Sequence, residues 1–481
     1  MVKVHPLRYR THIGESKHLI EEFISSFKSD RLFAKDIVIV HAAHLIALHR
    51  ENLIPHDAAS EIAKEILSVL ENPDHVYAWS KKTNSLFEDL FEALESYLHH
   101  RLGKIAGHLY LGRSRNDFIA AALRLAAREH SLSLLNELLR LRSILLDKGK
   151  EQANKLFPYF THLQLAQIGS VAHYFVALEE ALSRIWDSIF HSIVRHCYDN
   201  PLGAGPAIGT TVLLPKDKIN KLLCFETQIA PYYATGSRLF ILDLLAPLLS
   251  LFMELSRFAA DIITVNAVIP GLIQSPKEHI ATSSIMPHKQ NLVSLELVRA
   301  KCGKAIGWIS STFSILKGLT YGYNLDFQEL NVLVIKAFEE AIEVVKVFKD
   351  YVAGLDIVDS ILKEWAKDKV FWGGELAEEL AKKLGIPFRE AYRQVASALR
   401  ADGWRLGDNV RKLLEIIGID VDNVFDIVSR RPWEKLILHH IDYRREKLAS
   451  DLEKLNKLQE RLQECKATLI RELRRLAGEG F

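Results

Sequence analysis

One stretch, residues 239–255, constrains the fold more than any other part of the chain, because "LFILDLLAPLLSLFMEL" is apolar on nearly every face of a helix. Asp243, Pro247 and Glu254 interrupt it. A membrane-spanning helix needs about 20 predominantly apolar residues with few charges, whereas a helix inside a large bundle needs only to be hydrophobic on most faces. The stretch therefore predicts a helix buried in a helical bundle, and no membrane span.

Helical periodicity extends over most of the chain. Segments such as "EDLFEALESYLHHRL" and "LNVLVIKAFEEAIEVVKVFKDYV" repeat apolar residues every three or four positions, and period-two alternation is scarce. Glycine and proline cluster in a few places that separate the helical segments. The pattern predicts an all-α protein with three helical domains, the central one a long bundle, with bounds at residues 1–112, 113–362 and 363–481. A terminal amphipathic helix is predicted from leucines that share one face: Leu448, Leu452, Leu455, Leu458 and Leu462.

The charge balance excludes several classes of partner. With 62 basic and 60 acidic side chains, the net charge is only +2. The sequence therefore lacks the excess of positive charge that indicates binding to nucleic acid or to an anionic membrane. The 4 cysteines are widely separated, and no metal-ligand cluster or glycine-rich phosphate cradle follows a strand. No disulfide, metal or cofactor is therefore expected. The start, "MVKVHPLRYRTHIGES", lacks the apolar region of a secretory signal, so we expect a cytoplasmic protein that binds small molecules and copies of itself.

Three polar islands interrupt the apolar pattern, and the first is "GRSRND". Arg113 and Arg115 are suited to bidentate binding of carboxylates. Ser114 and Asn116 add neutral donors near a helix start. A purely structural alternative is a helix cap formed by Asn116 or Asp117, with both arginines solvated.

The second island is "FTHLQLAQ", which lies in a region that its spacing predicts to be helical and apolar. Its polar members are Thr161, His162, Gln164 and Gln167. Histidine exchanges protons near neutral pH, so His162 is a candidate acid or base. A single histidine on a helix is also commonly structural, and the island alone leaves both roles open.

The third island, "TSSIMPHKQNL" at residues 282–292, is called the signature loop below. Ser283 supplies a hydroxyl, Lys289 a positive charge, and Asn291 a donor that would also suit a helix cap. A short loop that contains proline and polar residues also suits a simple connection between helices.

Taken together, the three islands resemble motifs of a known protein family. "TSSIMPHKQN" resembles the "GSSxMPxKxN" loop of the fumarase and aspartase superfamily, whose members break a C–N or C–O bond and release fumarate. "GRSRND", "FTHLQLAQ", "PLGAGPAIGTT" and "YNLDFQE", in this order, resemble the argininosuccinate lyase family. The resemblance implies cleavage of argininosuccinate to arginine and fumarate in arginine biosynthesis. It also implies a homotetramer whose central helices combine into one bundle and whose active sites are shared between chains.

The resemblance further implies roles for single residues. Ser283 matches the base, and Lys289 and Asn291 are suited to stabilise the carbanion. His162 would assist protonation of the leaving nitrogen, and Glu296 matches the partner of that histidine. The residues expected to bind substrate are Ser26, Arg113, Ser114, Asn116, Thr161, Gln164, Arg238, Asn291, Tyr323 and Gln328.

Two departures from the family pattern remove polar groups. Phe91 stands in "EDLF" where the family has histidine, and Asn331 stands where the family often has lysine. Retention of the reactive residues favours an active lyase, and the lost polar contacts leave altered substrate preference open. The alternatives are a related fumarate-releasing lyase for adenylosuccinate or aspartate, and a non-catalytic structural protein on the same fold.

Overall fold

The computed structural model describes residues 3–4 and 18–479, and it is dominated by helices as predicted. The helices of the N-terminal part are α1 (His18–Ile24), α2 (Ala34–Arg50), α3 (His56–Glu71), α4 (Asp74–Thr83) and α5 (Leu90–Leu102). Those of the central part are α6 (Arg115–Glu151), α7 (Ala172–His196), α8 (Lys216–Leu223), α9 (Pro231–Gly236), α10 (Leu239–Val268), α11 (Val293–Lys317) and α12 (Phe327–Gly354). The last group is α13 (Asp359–Trp365), α14 (Gly373–Leu384), α15 (Phe388–Ala401), α16 (Asp408–Ile417) and α17 (Pro432–Ala477).

The strands are short and pair in twos. The parallel pairs are β1 (Lys3–Val4) with β2 (Ser85–Leu86), and β5 (Asp199–Asn200) with β6 (Thr227–Gln228). The antiparallel pairs are β3 (Leu156–Thr161) with β4 (Gln164–Ser170), and β7 (Ile273–Gln274) with β8 (Asp356–Ile357). Within the described ranges, only β3 and β4 exceed two residues, and they form a hairpin between α6 and α7.

Helices α6, α7, α10, α11 and α12 pack against one another as the central bundle. Helices α6 and α12 run parallel, because Arg115 contacts Gln328 where both begin. Where both finish, Lys148 and Gln152 donate to the Leu355 carbonyl at 3.1 and 3.4 Å. We call the end where α6 and α12 begin the proximal end and the opposite one the distal end.

Each of the other bundle helices runs either parallel or antiparallel to α6 and α12. The Arg238 guanidinium, just before α10, lies 4.2 Å from the Phe327 ring centroid, so α10 also begins at the proximal end. Helix α7 runs in the opposite direction, since His196 at its last turn lies 2.7 Å from the Asp243 carboxylate in the first turns of α10. Helix α11 runs in the same direction as α7, from the distal to the proximal end. Residues 318–324, which follow α11, lie at the proximal end, since the Tyr232 hydroxyl donates to the Tyr321 carbonyl there at 2.9 Å.

The apolar stretch 239–255 lies in α10 within the predicted helical bundle, but this chain buries only one side of it, whereas the pattern predicts burial on most faces. On the other side Leu239 is 48% exposed and Met253 is 50% exposed. By length and composition alone, α10 and the segment His18–Arg50 would suffice to cross a membrane, and core helices of soluble proteins meet the same criterion. Only 44% of the most apolar part of α10 is buried by this chain, so an apolar face remains outward.

The terminal helix α17 has 46 residues and packs along α3, α6 and α7. Its inward face carries Leu455, which is fully buried as predicted, while Leu452 is 47% exposed. Because α17 contacts helices from all parts of the chain, its packing extends beyond residues 363–481. The three-domain division itself stays a prediction.

A buried cluster of charges joins α17 to the bundle. Arg142 donates to the Glu179 carboxylate at 2.8 Å and to the Asp451 carboxylate at 3.0 Å, and none of these side chains is exposed. Arg444 donates to the second oxygen of Glu179 at 2.6 Å. Burial opposes the ionisation of Asp451, but hydrogen bonds from Lys447 and Arg142 lower its pKa overall. Asp451 is therefore ionised at neutral pH, and each charged side chain of the cluster lies beside one of opposite sign.

We expect Asp451→Asn to lower the free energy of unfolding by about 3–5 kcal/mol, because Arg142 would keep its buried charge with one carboxylate removed. Asp442→Asn on the same helix is the control: its pair with Lys150 is 3.2 Å long and exposed, so the loss should stay below about 1 kcal/mol. The measurement is chemical unfolding at pH 7. A lowered pKa of Asp451 stabilises the folded state at pH values above the ordinary carboxyl pKa of about 3.9. The difference in unfolding free energy between the parent protein and Asp451→Asn should therefore shrink as the pH falls below that value, towards the lowered pKa of Asp451. Equal losses in both variants would contradict the cluster's role.

Candidate active site

Side chains from three distant segments meet around Arg115 at the proximal end. The Arg115 guanidinium donates to the Tyr323 hydroxyl and to the side-chain carbonyl of Gln328. The Ser26 hydroxyl lies 3.4 Å from the same Gln328 oxygen. The Gln328 amide in turn donates to the Ile24 carbonyl at 3.0 Å. Three residues expected to bind substrate, Ser26, Tyr323 and Gln328, thus lie together.

Two carboxylates complete this cluster. Asp89 forms an ion pair with Arg115, and Asp30 accepts from the Ser26 hydroxyl at 3.1 Å and the Leu90 amide at 3.0 Å. Burial, followed by the charge of Asp89, raises the pKa of Asp30 to about 7. Asp30 and Asp89 were not among the predicted site residues, and Arg115 was predicted only as a group suited to carboxylates, without a place among the residues expected to bind substrate. The sequence signals that point to them are "FISSFKSD", "EDLF" and the second arginine of "GRSRND".

Helix α6 begins with a capping box. The Ser114 hydroxyl accepts from the Asn116 amide at 3.3 Å, and the Asp117 carboxylate accepts from the Ser114 amide at 3.2 Å. Ser114 is therefore the cap, and the alternative that Asn116 or Asp117 occupies this position is wrong. The Asn116 side chain instead donates to the Pro206 carbonyl at 2.9 Å.

Asp117 also anchors the glycine-rich loop 201–211. Its second carboxylate oxygen accepts from the Gly203 amide at 3.1 Å and the Gly205 amide at 2.9 Å. Both glycines have positive φ angles, 90° and 58°, which other residues adopt only with strain. A Cβ atom on Gly205 would also lie 2.7 Å from the Thr210 side chain. "GRSRND" and "PLGAGPAIGTT" therefore form one continuous surface.

Arg113 occupies a closed position. Its guanidinium lies 4.0 Å from the ring centroids of both Phe91 and Tyr110, and it contacts the His41 ring at 2.7 Å and the Glu95 carboxylate at 3.2 Å. Only 3% of the side chain is exposed. Protein groups enclose this charge, so its position opposes the substrate-binding role predicted for Arg113. Phe91, which replaces the histidine of the family pattern, forms one wall of the enclosure.

Arg238 is the second buried arginine of the proximal end. It donates to two backbone carbonyls of the preceding turn at 3.2 and 2.9 Å, while its Nε atom has no hydrogen-bond partner within residues 18–479. Burial, together with the charge of Arg124, lowers the pKa of Arg238 to about 9. The side-chain oxygen of Asn331 is also buried without a partner in that range. Unpaired buried polar atoms are typical of places that receive a ligand or water.

The signature loop is closed at its base and open to solvent at its tip. Ala281 and Asn291 exchange backbone hydrogen bonds of 3.0 and 2.8 Å across the base. Inside the loop, the Ser283 hydroxyl oxygen accepts from the amides of Ile285 and Met286 at 3.4 and 3.3 Å. These two donors point at the oxygen that would become an alkoxide if Ser283 acted as a base.

The remaining loop residues are less enclosed. Lys289 is exposed, and its ammonium has no ion-pair partner in the part of the chain that the structure describes. Glu296 lies exposed in the first turn of α11. The capping residue of α11 is Leu292, without a side-chain hydrogen bond, so the suggestion that Asn291 caps this helix is wrong.

"FTHLQLAQ" is a hairpin, so its predicted helical conformation is wrong. Thr161 pairs with Gln164 as the last residues of the two strands, and His162 and Leu163 form the turn. Their φ angles of 52° and 58° belong to a two-residue turn that favours Asn and Gly. Left-handed conformations cost other residues about 1–2 kcal/mol each. The turn holds His162 away from the protein, and Leu163 beside it is 89% exposed.

The predicted site residues divide between the two ends of the bundle. The hairpin follows the finish of α6, and the signature loop precedes the start of α11, so both belong to the distal end. The cluster around Arg115 lies at the other end of a 37-residue helix, which at 1.5 Å per residue is about 55 Å long. Within the described residues, no hydrogen bond or ion pair joins His162 to Glu296. One chain therefore does not bring Ser283 and His162 together with Ser26, Tyr323 and Gln328.

Comparison with known proteins identifies the family. A sequence model of the family described as Lyase matches residues 13–307. The argininosuccinate lyase of Sulfolobus acidocaldarius is 34% identical over 403 residues, which cover 84% of this chain and 86% of the relative. The chain belongs to the argininosuccinate lyase family. The argininosuccinate lyases of Sulfurisphaera tokodaii and Pyrobaculum aerophilum are 33% and 37% identical to this lyase and cover 93% and 83% of it.

Solved structures share the fold of the lyase. EDDS lyase in complex with formate superposes with a TM-score of 0.79 at 21% identity, covering 93% of this chain and 92% of that one. Class II fumarase from Schistosoma mansoni gives a TM-score of 0.70 at 17% identity, covering 85% and 91%. At these identities the likeness concerns the fold alone, and it confirms the helical-bundle architecture.

We expect Asp117→Asn to loosen the loop 201–211, because a single amide oxygen is unable to accept from Ser114 and from both glycines at once. Losing a buried acceptor costs about 1–3 kcal/mol, so amide hydrogen exchange across the loop should rise about tenfold or more. Mass spectrometry of the exchanged protein measures this. Asp217→Asn, at an exposed position just beyond the loop, is the control and should leave the exchange unchanged. Unaltered exchange in both variants would contradict the anchoring role.

Proposed function

We propose that the enzyme is an argininosuccinate lyase, which cleaves argininosuccinate to arginine and fumarate in arginine biosynthesis. The observation that carries the proposal is the signature loop, with Ser283 and Lys289 retained, in a chain whose relatives of that name match it over more than four fifths of its length. The cluster of Ser26, Tyr323 and Gln328 around a buried arginine supports a substrate with several polar groups.

The reaction begins at the signature loop. Ser283 removes a proton from the carbon beside a carboxylate of the succinyl group. Serine is a weak base, so its alkoxide needs stabilisation, which the Ile285 and Met286 amides and the Lys289 ammonium supply. Lys289 and Asn291 also bind the charge that develops on the substrate carboxylate as the carbanion forms.

The carbanion then expels the amine. Its electron pair forms the carbon–carbon double bond of fumarate while the C–N bond breaks, and His162 gives a proton to the departing nitrogen of arginine. Glu296 orients the His162 ring and favours its protonated form. The exposed, strained hairpin tip suits this role, because it projects the ring beyond the surface of its own chain.

Residues of the proximal end hold the substrate. The Arg238 guanidinium, whose Nε atom has no described partner, supplies positive charge for a carboxylate, and Asn116 adds a donor from the first turn of α6. Thr161 and Gln164 flank the hairpin tip and contact the substrate from the His162 side. The charges of Arg113 and Arg115 are already paired with Glu95 and Asp89, so we assign carboxylate binding to Arg238.

We further propose a homotetramer in which different chains contribute to each active site. The proximal and distal groups are separated by the length of α6, so an antiparallel neighbour is needed to bring them together. Each motif segment exposes a large apolar side chain that such a neighbour would cover: Leu163, Ile208 and Ile285 are 89%, 84% and 84% exposed. The outward apolar face of α10 offers a surface for the shared bundle. We expect the cytoplasm as its location, because all four cysteines are free thiols.

A second substrate remains a candidate because of two observations. Phe91 fills the position of a family histidine and packs against Arg113, and the Asn331 oxygen is buried without a described partner where lysine is common. Both changes alter the polar groups available to the amino-acid end of the substrate. Offering argininosuccinate, adenylosuccinate and aspartate separately, with fumarate followed by its ultraviolet absorbance, distinguishes these lyases from one another and from a non-catalytic protein.

Ser283→Ala should lower fumarate release from argininosuccinate by about 10²- to 10⁴-fold, the usual contribution of a positioned acid or base. Ser284→Ala removes the neighbouring, more exposed hydroxyl and should keep far more of the turnover. Circular dichroism and thermal unfolding of both variants check that the fold is intact. Near-normal turnover in Ser283→Ala would exclude Ser283 as the base.

Mixing two inactive variants should restore activity if sites are shared. His162→Asn alters only the distal end and Asn116→Leu only the proximal end, so hybrid assemblies contain some sites in which both residues are intact. Each variant is purified alone, then dissociated and reassembled with the other, and fumarate release is compared with self-mixed controls. A fully active monomer by light scattering, or no recovery in mixed assemblies, would contradict the shared site.

A further inference from the structure

The hairpin that carries His162 is attached to the C-terminal helices through a compact set of charged residues. We propose that Arg431, together with Glu375 and Glu434, is a positioning clamp that holds this hairpin and sets the place of the His162 ring. The inference rests on the proposed catalytic role of His162. It assigns a function to residues more than 200 positions away in the sequence.

Arg431 joins the two parts directly. It precedes α17 as its capping residue, and its guanidinium donates to the Ile168 carbonyl of strand β4 at 2.7 Å. The same guanidinium binds the Glu375 carboxylate in the first turn of α14 at 2.7 Å. Glu375 also accepts from the Gln167 side chain of the hairpin at 2.8 Å. One arginine and one glutamate thus hold two consecutive residues of β4.

Glu434 contacts the end of strand β4 and the start of helix α7, which follows it. Its carboxylate accepts from the Ser170 amide at 3.1 Å and lies 3.6 Å from the His173 ring. A Cβ atom on Gly169 would come within 2.6 Å of Glu434, so only glycine permits this approach. Burial opposes the charge of Glu434, yet His173, the Ser170 amide and Arg431 lower the pKa of this carboxyl overall. Glu434 is therefore ionised at neutral pH, beside the Arg431 guanidinium at 3.7 Å.

The clamp is close enough to the tip to control it. Gln167 pairs with Tyr159 in the hairpin register, and the turn residue His162 follows three positions after Tyr159. At about 3.3 Å per strand residue, the clamp lies roughly 10 Å from the tip. The side chains of Arg431, Glu375 and Glu434 are only 18%, 12% and 12% exposed, so solvent screens these contacts weakly.

The hairpin needs such support. Residues 161–164 are all exposed, so within the described chain the tip has little packing of its own. The positive φ angles at His162 and Leu163 persist only where surrounding structure fixes the strands on either side. A displacement of about 1 Å in a reacting group can cost about 100-fold in rate. Loosening β4 at the clamp should therefore act on catalysis through His162.

The first test needs no substrate. In the full-length protein, Arg431→Ala should raise amide hydrogen exchange of residues 164–170 by about tenfold or more, because the Ile168 carbonyl and the Glu375 carboxylate lose their donor. Arg430→Ala is the matched control, since Arg430 binds Glu379 at 2.8 Å within the C-terminal helices and makes no hairpin contact that the structure records. Unchanged exchange in Arg431→Ala would overturn the clamp, whatever the enzyme's activity.

The second test asks whether the clamp acts through His162. Arg431→Ala should lower kcat for fumarate release by about 100-fold, and Arg430→Ala should leave it within about twofold. In a His162→Asn background, Arg431→Ala should cost no further activity, because the ring it positions is already gone. Arg431→Lys, which keeps the charge but loses the fork-shaped donors, should give an intermediate rate. An equal loss with and without His162 would overturn the positioning role.

Glu434→Gln provides an independent variant of nearly unchanged shape, should Arg431→Ala fail to fold. It should raise hairpin exchange and lower kcat in the same non-additive manner with His162→Asn. Normal exchange and normal kcat in folded Glu434→Gln and Arg431→Lys would refute the clamp. An inactive parent enzyme with raised exchange in Arg431→Ala would instead refute the proposed function and leave the clamp standing.

Discussion

The length of α6 is the constraint on which the rest of the molecule depends. Its 37 residues place the capping box of "GRSRND" at one end of the bundle and the hairpin of His162 at the other. Helices α10 and α12 run in the same direction, and α7 and α11 return, so each motif at a helix terminus is assigned to one end or the other. The chain therefore carries two separate groups of motif residues, and the homotetramer that we propose would bring them into contact.

Much of this arrangement follows from sequence patterns. Apolar residues at three- and four-residue spacing are sufficient to predict long helices, because tertiary packing in a bundle requires just such stripes. The resemblance of short motifs was also sufficient to predict that Ser26, Tyr323 and Gln328 share a site. Their acidic neighbours Asp30 and Asp89 lie in motifs that resemble the family pattern, but their proximity was not predictable, because carboxylates about 60 positions apart carry no pattern that places them side by side.

The hairpin and the two arginines show where local sequence is insufficient. "FTHLQLAQ" has apolar residues at helix-like spacing, and its turn residues, His162 and Leu163, are not those that a tight turn favours. Contacts with Arg431 and Glu434, far along the chain, select the strand conformation instead. Arg113 and Arg115 are two positions apart on either side of a non-helical cap, so their side chains leave in different directions. Residue type alone does not distinguish the two arginines, and only the backbone conformation around Ser114 determines which groups each of them contacts.

The order in which the residues of the buried charge cluster are translated has a consequence for biosynthesis. Arg142 and Glu179 are translated before their partners Asp451 and Arg444, which follow more than 260 residues later in the chain. Until those partners are made, the charges of Arg142 and Glu179 lack part of their ion pairing and stay in contact with water. Helices α6 and α7, which carry them, then do not pack completely. Before α17 is synthesised, the nascent chain therefore exposes surface that the folded protein buries, and exposed surface of this kind favours aggregation.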